Sequence, residues 1–220
     1  MRTLLIGGGH SAYFAANAIR EIDPDGKLII IEFTSEKVEV LSKTFPFAEV
    51  ILQEIDEVED YIKVNGGIVD AVIAATESDS LNLRYCKIAR ESAIPLAISI
   101  LNNPLNREIF LKEGITYLIN PYSLIPIELS EILCAPMNIF YRSPKYNLVI
   151  ASIRISDERL LLELRKAINQ SGDISAIFVS QSGEITTSLN EADLGGKLYL
   201  MGSRENIDKI LKIVRKVVRK

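Results

Sequence analysis

The sequence predicts an α/β fold, in which a doubly wound parallel sheet is followed by a small α+β domain. Up to about residue 135, strand-like and helix-like patterns alternate six times. The predicted strands are continuous apolar runs, such as Leu28–Ile31 and Ala71–Ala75, and such runs are typical of parallel strands covered on both faces. From residue 147 onwards the pattern changes to hairpin-like strands between two helices, which indicates a separate domain.

The first domain is predicted over 1–135 as six consecutive βα units, which is a Rossmann-type arrangement. Its strands are predicted at 3–6, 27–31, 48–52, 70–75, 96–100 and 117–119. Its helices are predicted at 11–22, 35–44, 56–64, 79–92, 104–113 and 123–134. The segment 136–146 contains Pro136 and Pro144 and shows no clear period, so it is predicted to be a crossover or linker.

The second domain is predicted over 147–220. Its strands are predicted at 147–155, 174–180, 184–187 and 197–201, and its helices at 157–169 and about 204–219. The last helix has an apolar stripe at spacings of three and four (Ile207, Ile210, Leu211, Val214, Val217, Val218) and a basic face (Lys209, Lys212, Arg215, Lys216, Arg219, Lys220). A solvated basic face is one interpretation, and binding of an anionic partner is the other. A domain this small gains little from its own core and often dimerises.

The first strand leads into a glycine-rich turn at the start of the chain. Gly7, Gly9 and Ala12 fit the pattern G-x-G-x-x-G/A. In this pattern the first glycine makes the turn, the second lets a pyrophosphate approach the backbone, and the small third residue allows the helix to pack on the strand. The second strand ends at Glu32, where an acid can accept hydrogen bonds from ribose hydroxyls and would repel a 2′-phosphate. A nucleotide site is therefore predicted, although an empty glycine turn is the alternative.

The composition limits the classes of function. With 25 basic and 29 acidic residues the net charge is −4, which argues against general nucleic-acid binding. The single histidine and the two distant cysteines, Cys86 and Cys134, cannot form a zinc site of ordinary spacing, and both cysteines are predicted to be buried free thiols in a reducing cytosol. No apolar run is long enough to span a bilayer, and no signal peptide is apparent, so the protein is expected to be cytoplasmic without direct membrane insertion.

Several segments together resemble one known family, the RCK family of regulators of potassium conductance, also called TrkA-type or KTN proteins. In the first domain the resemblance is carried by GGGHSA at 7–12, IIIE at 29–32, DAVIAATESDSLNL at 70–83 and YLINPYSLIPIELSEIL at 117–133. In the second domain it is carried by NLVIASIRIS at 147–156, GDISAIFVSQSGEI at 172–185 and GGKLYLMGSRENIDKI at 195–210. The order of these segments is more specific than the glycine pattern alone.

This resemblance implies a cytosolic gating subunit that binds NAD(H) or an adenine nucleotide (ATP, ADP or AMP) and docks on a potassium transporter or channel in the membrane. Such proteins assemble as homodimers and then as rings, and they are not normally enzymes. Two positions depart from the family. Gln53-Glu54-Ile55 stands where many members have a Gly-Asp-Ala/Gly-Thr segment, and His10 stands where members that bind ATP tightly often have Arg.

The residues predicted to contact the nucleotide are Gly7, Gly8, Gly9, His10, Ser11, Ala12, Glu32, Phe33, Thr76, Glu77 and Asp79. Thr76, Glu77 and Asp79 follow the fourth strand at its carboxyl end, where ligands bind in open α/β sheets. Ser78 or Asp79 can equally be the N-cap of the next helix. His10 can contact a phosphate or be a plain loop residue, and Asn120-Pro121 is expected to shape a turn.

Two other functions compete with a ligand-sensing regulator. A precorrin-2 dehydrogenase of the siroheme type combines a GGG turn with an AAT-x-x-x-x-L/V-N segment and a later RSP, which residues 74–82 and 142–144 fit loosely. In that case Asp79 would be the candidate catalytic acid. The other alternative is a scaffold that binds a soluble protein. The sequence contains no G-x-S-x-G and no P-loop lysine motif, so we expect neither a serine hydrolase nor nucleotide hydrolysis.

Overall fold

The computed structural model describes residues 1–133, 135–143 and 146–218 and divides the chain into two compact units, 1–122 and 123–220. The unit boundary therefore follows Tyr122, earlier in the chain than the boundary predicted near residue 135. Cys134, Pro144, Arg219 and Lys220, for which predictions were made above, lie outside the described residues, as does Lys145. In the described part, no helix has both the length and the apolar character needed to cross a membrane.

The first unit is a six-stranded parallel sheet flanked by helices. Its strands are β1 (Arg2–Ile6), β2 (Lys27–Glu32), β3 (Glu49–Leu52), β4 (Ala71–Ala74), β5 (Leu96–Ile100) and β6 (Tyr117–Ile119). Its helices are α1 (His10–Ile22), α2 (Ser35–Thr44), α3 (Val58–Asn65), α4 (Asp79–Glu91) and α5 (Arg107–Lys112), with a 3₁₀ turn at Pro104–Asn106. The strand order is β3-β2-β1-β4-β5-β6, the Rossmann order, so the predicted fold is confirmed.

Alternate residues of the central strands point into two separate cores. Leu4 and Ile6 of β1 lie in the core that also contains Val58, Ile62 and Tyr85 from α3 and α4. Leu5 lies in the opposite core, which is formed with Ala12 and Ala16 of α1 and with residues of α2. Because both faces are covered, the strands have no polar face, and this explains the unbroken apolar runs in the sequence. Cys86 is fully buried, as predicted, and burial raises the pKa of its thiol to about 12.

The second unit is a five-stranded antiparallel sheet with helices. Its strands are β7 (Met137–Arg142), β8 (Val149–Arg154), β9 (Ser175–Val179), β10 (Ile185–Thr186) and β11 (Lys197–Gly202), in the order β10-β9-β11-β8-β7. Its helices are α6 (Ile125–Ile132), α7 (Glu158–Gln170) and α8 (Arg204–Val218), with a 3₁₀ turn at Leu189–Glu191. α7 begins after Asp157, whose carboxylate accepts the Leu160 N–H at 2.9 Å, and α8 buries Ile207, Ile210, Leu211 and Val214.

The segment 136–146, which was predicted to be a crossover or linker, contains a strand that the sequence patterns did not indicate. Met137–Arg142 forms β7, an edge strand that pairs antiparallel with β8. Met137 and Ile139 are two residues apart, so both point to the core face and pack there. Pro136 precedes the strand, where its missing N–H costs no ladder hydrogen bond. The prolines indicated a break in the pattern, and the two core-facing residues between them, Met137 and Ile139, were too few to indicate a strand.

Candidate nucleotide-binding site

The glycine turn between β1 and α1 has a backbone that requires glycine. Gly7 has φ of +111°, and its N–H donates to the Ile31 carbonyl at 2.8 Å. A Cβ at Gly7 would lie 2.8 Å from the Ala75 carbonyl oxygen, so any side chain would collide with backbone. α1 begins at His10, and the residue before it, Gly9, has no side chain to cap the helix. The first N–H groups of α1 are thus available to an anion.

Glu32 stands at the end of β2 with its side chain buried beside the glycine turn. It is 2% exposed, and a Cβ at Gly8 would contact its carboxylate. The N–H and hydroxyl of Thr34 donate to Glu32 Oε1 at 3.2 and 3.3 Å, and the Lys37 ammonium lies 4.0 Å from the same oxygen. A buried carboxylate needs such partners, and its other oxygen, Oε2, is directed towards Gly8. This geometry suits an acceptor for ribose hydroxyls.

Two cavities adjoin the glycine turn. The inner cavity, of about 210 Å³, is lined by Gly7, Gly8, Gly9, Glu32, Phe33, Lys37, Thr76, Glu77, Ser78 and Leu81. The outer cavity, of about 410 Å³, lies between α1 and α2 and has a more apolar wall, which includes Tyr13, Val40 and Leu41 together with His10. Gly8, Gly9, Lys37 and Glu77 line both. The structure therefore brings together eight of the eleven predicted contact residues.

The other three predicted residues, Ser11, Ala12 and Asp79, line neither of these cavities. Ala12 is 1% exposed and packs in the core against the sheet, which is the position expected for the small third residue of the pattern. Ser11 lies in the first turn of α1. His10 is exposed at the entrance of the outer cavity. Gln53-Glu54-Ile55 follows β3, and the side-chain amide of Gln53 donates to the Glu57 carboxylate at 2.6 Å.

Asp79 binds the loop after β5. Its carboxylate accepts hydrogen bonds from the N–H groups of Asn102 and Asn103, at 2.8 and 2.9 Å, and from the side-chain amides of Asn102 and Asn106. Burial of the carboxylate opposes ionisation, but these hydrogen bonds outweigh burial and lower the pKa of Asp79 below its ordinary value. Ser78 is the N-cap residue, since its hydroxyl accepts the Leu81 N–H at 3.4 Å. The surroundings of Asp79 favour a positioning role rather than contact with a ligand.

Asn82 has a role that the sequence reasoning missed. It is fully buried, and its Oδ1 accepts from the Thr76 N–H at 2.9 Å and from the Thr76 hydroxyl at 2.7 Å. Its amide donates to the carbonyls of Thr76 and Ile100, each at 3.0 Å. Asn82 therefore joins the ends of β4 and β5 and fixes the wall of the inner cavity. An asparagine in line with the buried face of α4, six residues after Thr76, was the available signal.

Among the residues that the structure describes, no group of three or more His, Cys, Asp or Glu side chains could hold a metal ion. Asn120 shapes a turn, because its side-chain oxygen accepts the Tyr122 N–H at 2.9 Å.

A Rossmann sheet with this glycine turn and a buried acid at the end of β2 defines a nucleotide-binding class of domain. Within that class, the chain belongs to the TrkA-N family, whose TrkA-N domain model matches residues 3–121, more than half of the sequence. The family predicted from the sequence segments is thus confirmed.

Two curated relatives are named Trk system potassium uptake protein TrkA homolog. The one from Archaeoglobus fulgidus is 24% identical over 216 residues, which is 97% of this chain and 49% of the relative. The one from Methanothermobacter thermautotrophicus is 30% identical over 139 residues, which is 62% of each protein. The chain therefore spans only about half to two thirds of the length of the curated relatives that it matches.

Solved structures share the fold of the chain. The GsuK RCK domain matches with a TM-score of 0.58 at 16% identity and covers 96% of this chain and 47% of its own. The GsuK channel bound to NAD matches with a TM-score of 0.59 at 15% identity and covers 97% of this chain and 39% of its own. At this level of identity the likeness concerns the fold, which includes the small antiparallel domain.

Proposed function

We propose that this protein is a nucleotide-sensing regulatory subunit of a potassium transporter or channel. The observation that carries the proposal is the uncapped N-terminus of α1 beside the buried Glu32, in a chain of the TrkA-N family. Support comes from the names of the relatives, which are potassium uptake proteins, and from the fold shared with the GsuK channel. In this proposal the membrane partner holds the protein at the cytoplasmic face.

The ligand in this proposal is NAD(H) or an adenine nucleotide. Its ribose hydroxyls bind Glu32 in the inner cavity, and its phosphates lie over Gly9 at the start of α1. The structure of the GsuK channel was determined with NAD, which supports this ligand class. A thermal-shift series with NAD, NADH, NADP, ATP, ADP and AMP ranks the candidates, because a ligand of the native state raises stability with the logarithm of its concentration.

The proposal gives the protein no catalytic activity. The competing dehydrogenase interpretation needs Asp79 as an acid at the reacting atoms. The two carboxylate oxygens of Asp79 already accept four amide hydrogen bonds. These hydrogen bonds lower the pKa of Asp79 despite its burial, so this residue is a poor proton donor. Steady formation of NADH from NAD with precorrin-2, lost in Asp79→Ala, would overturn this part of the proposal.

The proposal also includes assembly into a homodimer and, from dimers, a ring. A regulator of this kind passes a ligand-induced change to its partner through subunit interfaces, and the change can be no larger than the difference in ligand affinity between its two states. The surface that we assign to assembly is on α6 and the residues beside it. Leu124, Ile125, Leu129 and Leu133 are 50–74% exposed there, and an apolar surface of this extent commonly marks an interaction site.

The nucleotide site is tested by placing a carboxylate in the glycine turn. A Cβ at Gly9 would lie 3.4 Å from Glu77 Oε1, so Gly9→Asp fits without a backbone clash but adds a negative charge where the phosphates bind. We expect the affinity for the best nucleotide to fall at least about a hundredfold in calorimetry, since like charges in contact cost several kcal/mol.

The matched control for this test is Gly67→Asp. A Cβ at Gly67 meets nothing within 4 Å, so this variant makes the same chemical change in open space. Its affinity should equal that of the wild type. Equal affinity in a folded Gly9→Asp protein would refute the site.

A further inference from the structure

We propose that Glu77 sets the net charge of the ligand that this site accepts, so that the site selects nucleotides with little negative charge. This inference rests on the proposed function, because it concerns the same site. It assigns a specificity-determining role to a residue at the junction of the two cavities. The glycine pattern and Glu32 alone would not distinguish a dinucleotide from a polyphosphate.

The position of Glu77 places a carboxylate at the phosphate end of the site. Its Oε1 is 3.4 Å from the point where a Cβ on Gly9 would stand, and Gly9 directly precedes α1. Glu77 also lines both the inner and the outer cavity. Any ligand that brings phosphate to the first N–H groups of α1 therefore approaches this carboxylate.

The charge of Glu77 is not balanced by a neighbouring cation. Within the described residues, neither a hydrogen bond nor an ion pair holds its carboxylate. Lys37 is the only lysine or arginine among the described residues that line the two cavities, and its ammonium lies 4.0 Å from Glu32. The same lining contains three glutamates, Glu32, Glu36 and Glu77. The site thus combines an anion-binding helix terminus with an excess of negative charge.

These two features act in opposite directions on a phosphate. The N–H groups of α1 attract it, and the ionised Glu77 repels it with a strength that grows with ligand charge. Among the candidate ligands NAD has the smallest net negative charge and ATP the largest. Glu77 therefore favours NAD over ADP and ATP, and it does so through repulsion of the competitor, which is a recognised way to obtain specificity.

The test compares Glu77→Gln with the wild type in calorimetric titrations with NAD, AMP, ADP and ATP in EDTA. Glutamine keeps the size of the side chain and removes its charge. Because Glu77 is exposed, we expect the variant to fold normally, which its melting temperature checks. In the wild type, affinity should decrease from NAD to ATP. In Glu77→Gln, the affinities for ADP and ATP should rise about tenfold and that for NAD at most about threefold.

A control variant separates the local charge from the net charge of the protein. Glu21→Gln removes one negative charge from the last turn of α1, at the opposite end from the glycine turn, and should leave all four affinities unchanged. An equal gain in Glu21→Gln and Glu77→Gln would overturn the assignment to Glu77.

The remaining outcomes distinguish this inference from the proposed function. If the wild type binds a nucleotide and Glu77→Gln binds ADP and ATP no better, the inference fails and the proposed function stands. If neither protein binds any of the four, both fail.

Discussion

The two sheets of this protein bury their side chains in different ways. In β2 of the first sheet, all residues from Leu28 to Glu32 are buried, since helices cover both faces. In β11 of the second sheet, Leu198 and Leu200 are buried against α7 and α8, but Met201 is 46% exposed on the other face. Ile177 of β9 is equally exposed on that face, and Phe140 stacks on Tyr199 there.

The two units therefore differ in where they place their polar contacts and their exposed apolar side chains. The first unit completes its core with its own helices and places its polar contacts, through Asn82 and Asp79, at the carboxyl ends of the strands. The second unit leaves apolar side chains on an open sheet face and on α6. We therefore expect the first unit to be sensitive to loss of internal hydrogen bonds and the second to be sensitive to changes on its surface.

The largest effect is expected for Asn82→Leu. This change leaves the buried N–H of Thr76 and carbonyl of Ile100 without their Asn82 partner, which costs about 2–3 kcal/mol of unfolding free energy. Cys86 reports the opening of this unit, because its buried thiol reacts only when exposed. In a Cys134→Ser background, thiol labelling of Cys86 should be faster in Asn82→Leu.

The control for Asn82→Leu lies in the second unit. Leu164→Ala removes a fully buried side chain of α7 and should destabilise the protein by a similar amount. It should leave the labelling rate of Cys86 unchanged. Equal acceleration by both variants would show that the two units unfold together. It would contradict the expectation that loss of the Asn82 hydrogen bonds opens the first unit alone.

An intermediate effect is expected for Leu129→Asp on α6. If this helix forms the dimer interface, a charge there should weaken association at least about tenfold, or about 1.4 kcal/mol. Light scattering should show a dimeric wild type and a shift towards monomer in the variant. Leu105→Asp, at a leucine that is 86% exposed in the first unit, should remain dimeric. A monomeric wild type at micromolar concentration would contradict the assembly and weaken the proposed regulatory function.

The smallest effect is expected for Asp79→Asn, and it depends on pH. Burial by itself raises the pKa of Asp79. The hydrogen bonds from the 102–106 loop lower it by a larger amount, so the pKa lies below the ordinary value of 3.8. A lowered folded-state pKa means that the carboxylate stabilises the fold above pH 4 and that this contribution is lost as the pH falls through the folded-state pKa.

Asp79→Asn should therefore cost about 1 kcal/mol at pH 7, because an amide accepts fewer of the four hydrogen bonds. The difference in melting temperature from the wild type should shrink as the pH is lowered below 4. A difference that stays constant down to pH 2.5 would refute the electrostatic origin of the contribution.

The sequence predicted the fold because its parallel strands are apolar runs, such as Leu28–Ile31, that alternate regularly with helix patterns. It missed β7, because Met137–Arg142 follows a proline and, at the edge of its sheet, has only two core-facing residues. The glycine turn and Glu32 were predictable, since their roles depend on backbone geometry that follows from local sequence. The partners of Asp79 and Asn82 were not, because Asn102 and Ile100 lie about 20 residues away and meet them only through the pairing of β4 with β5.

The position of α6 in the chain has a consequence for synthesis in the cell. All six strands of the first sheet precede residue 122, so the ribosome completes them before Leu124 and the apolar residues of α6 emerge. Domains generally fold as units during translation, N-terminal first, and transiently exposed apolar surface promotes aggregation. The exposed apolar residues of α6 are therefore synthesised after all the strands of the first sheet, which can pair with one another before this surface is present.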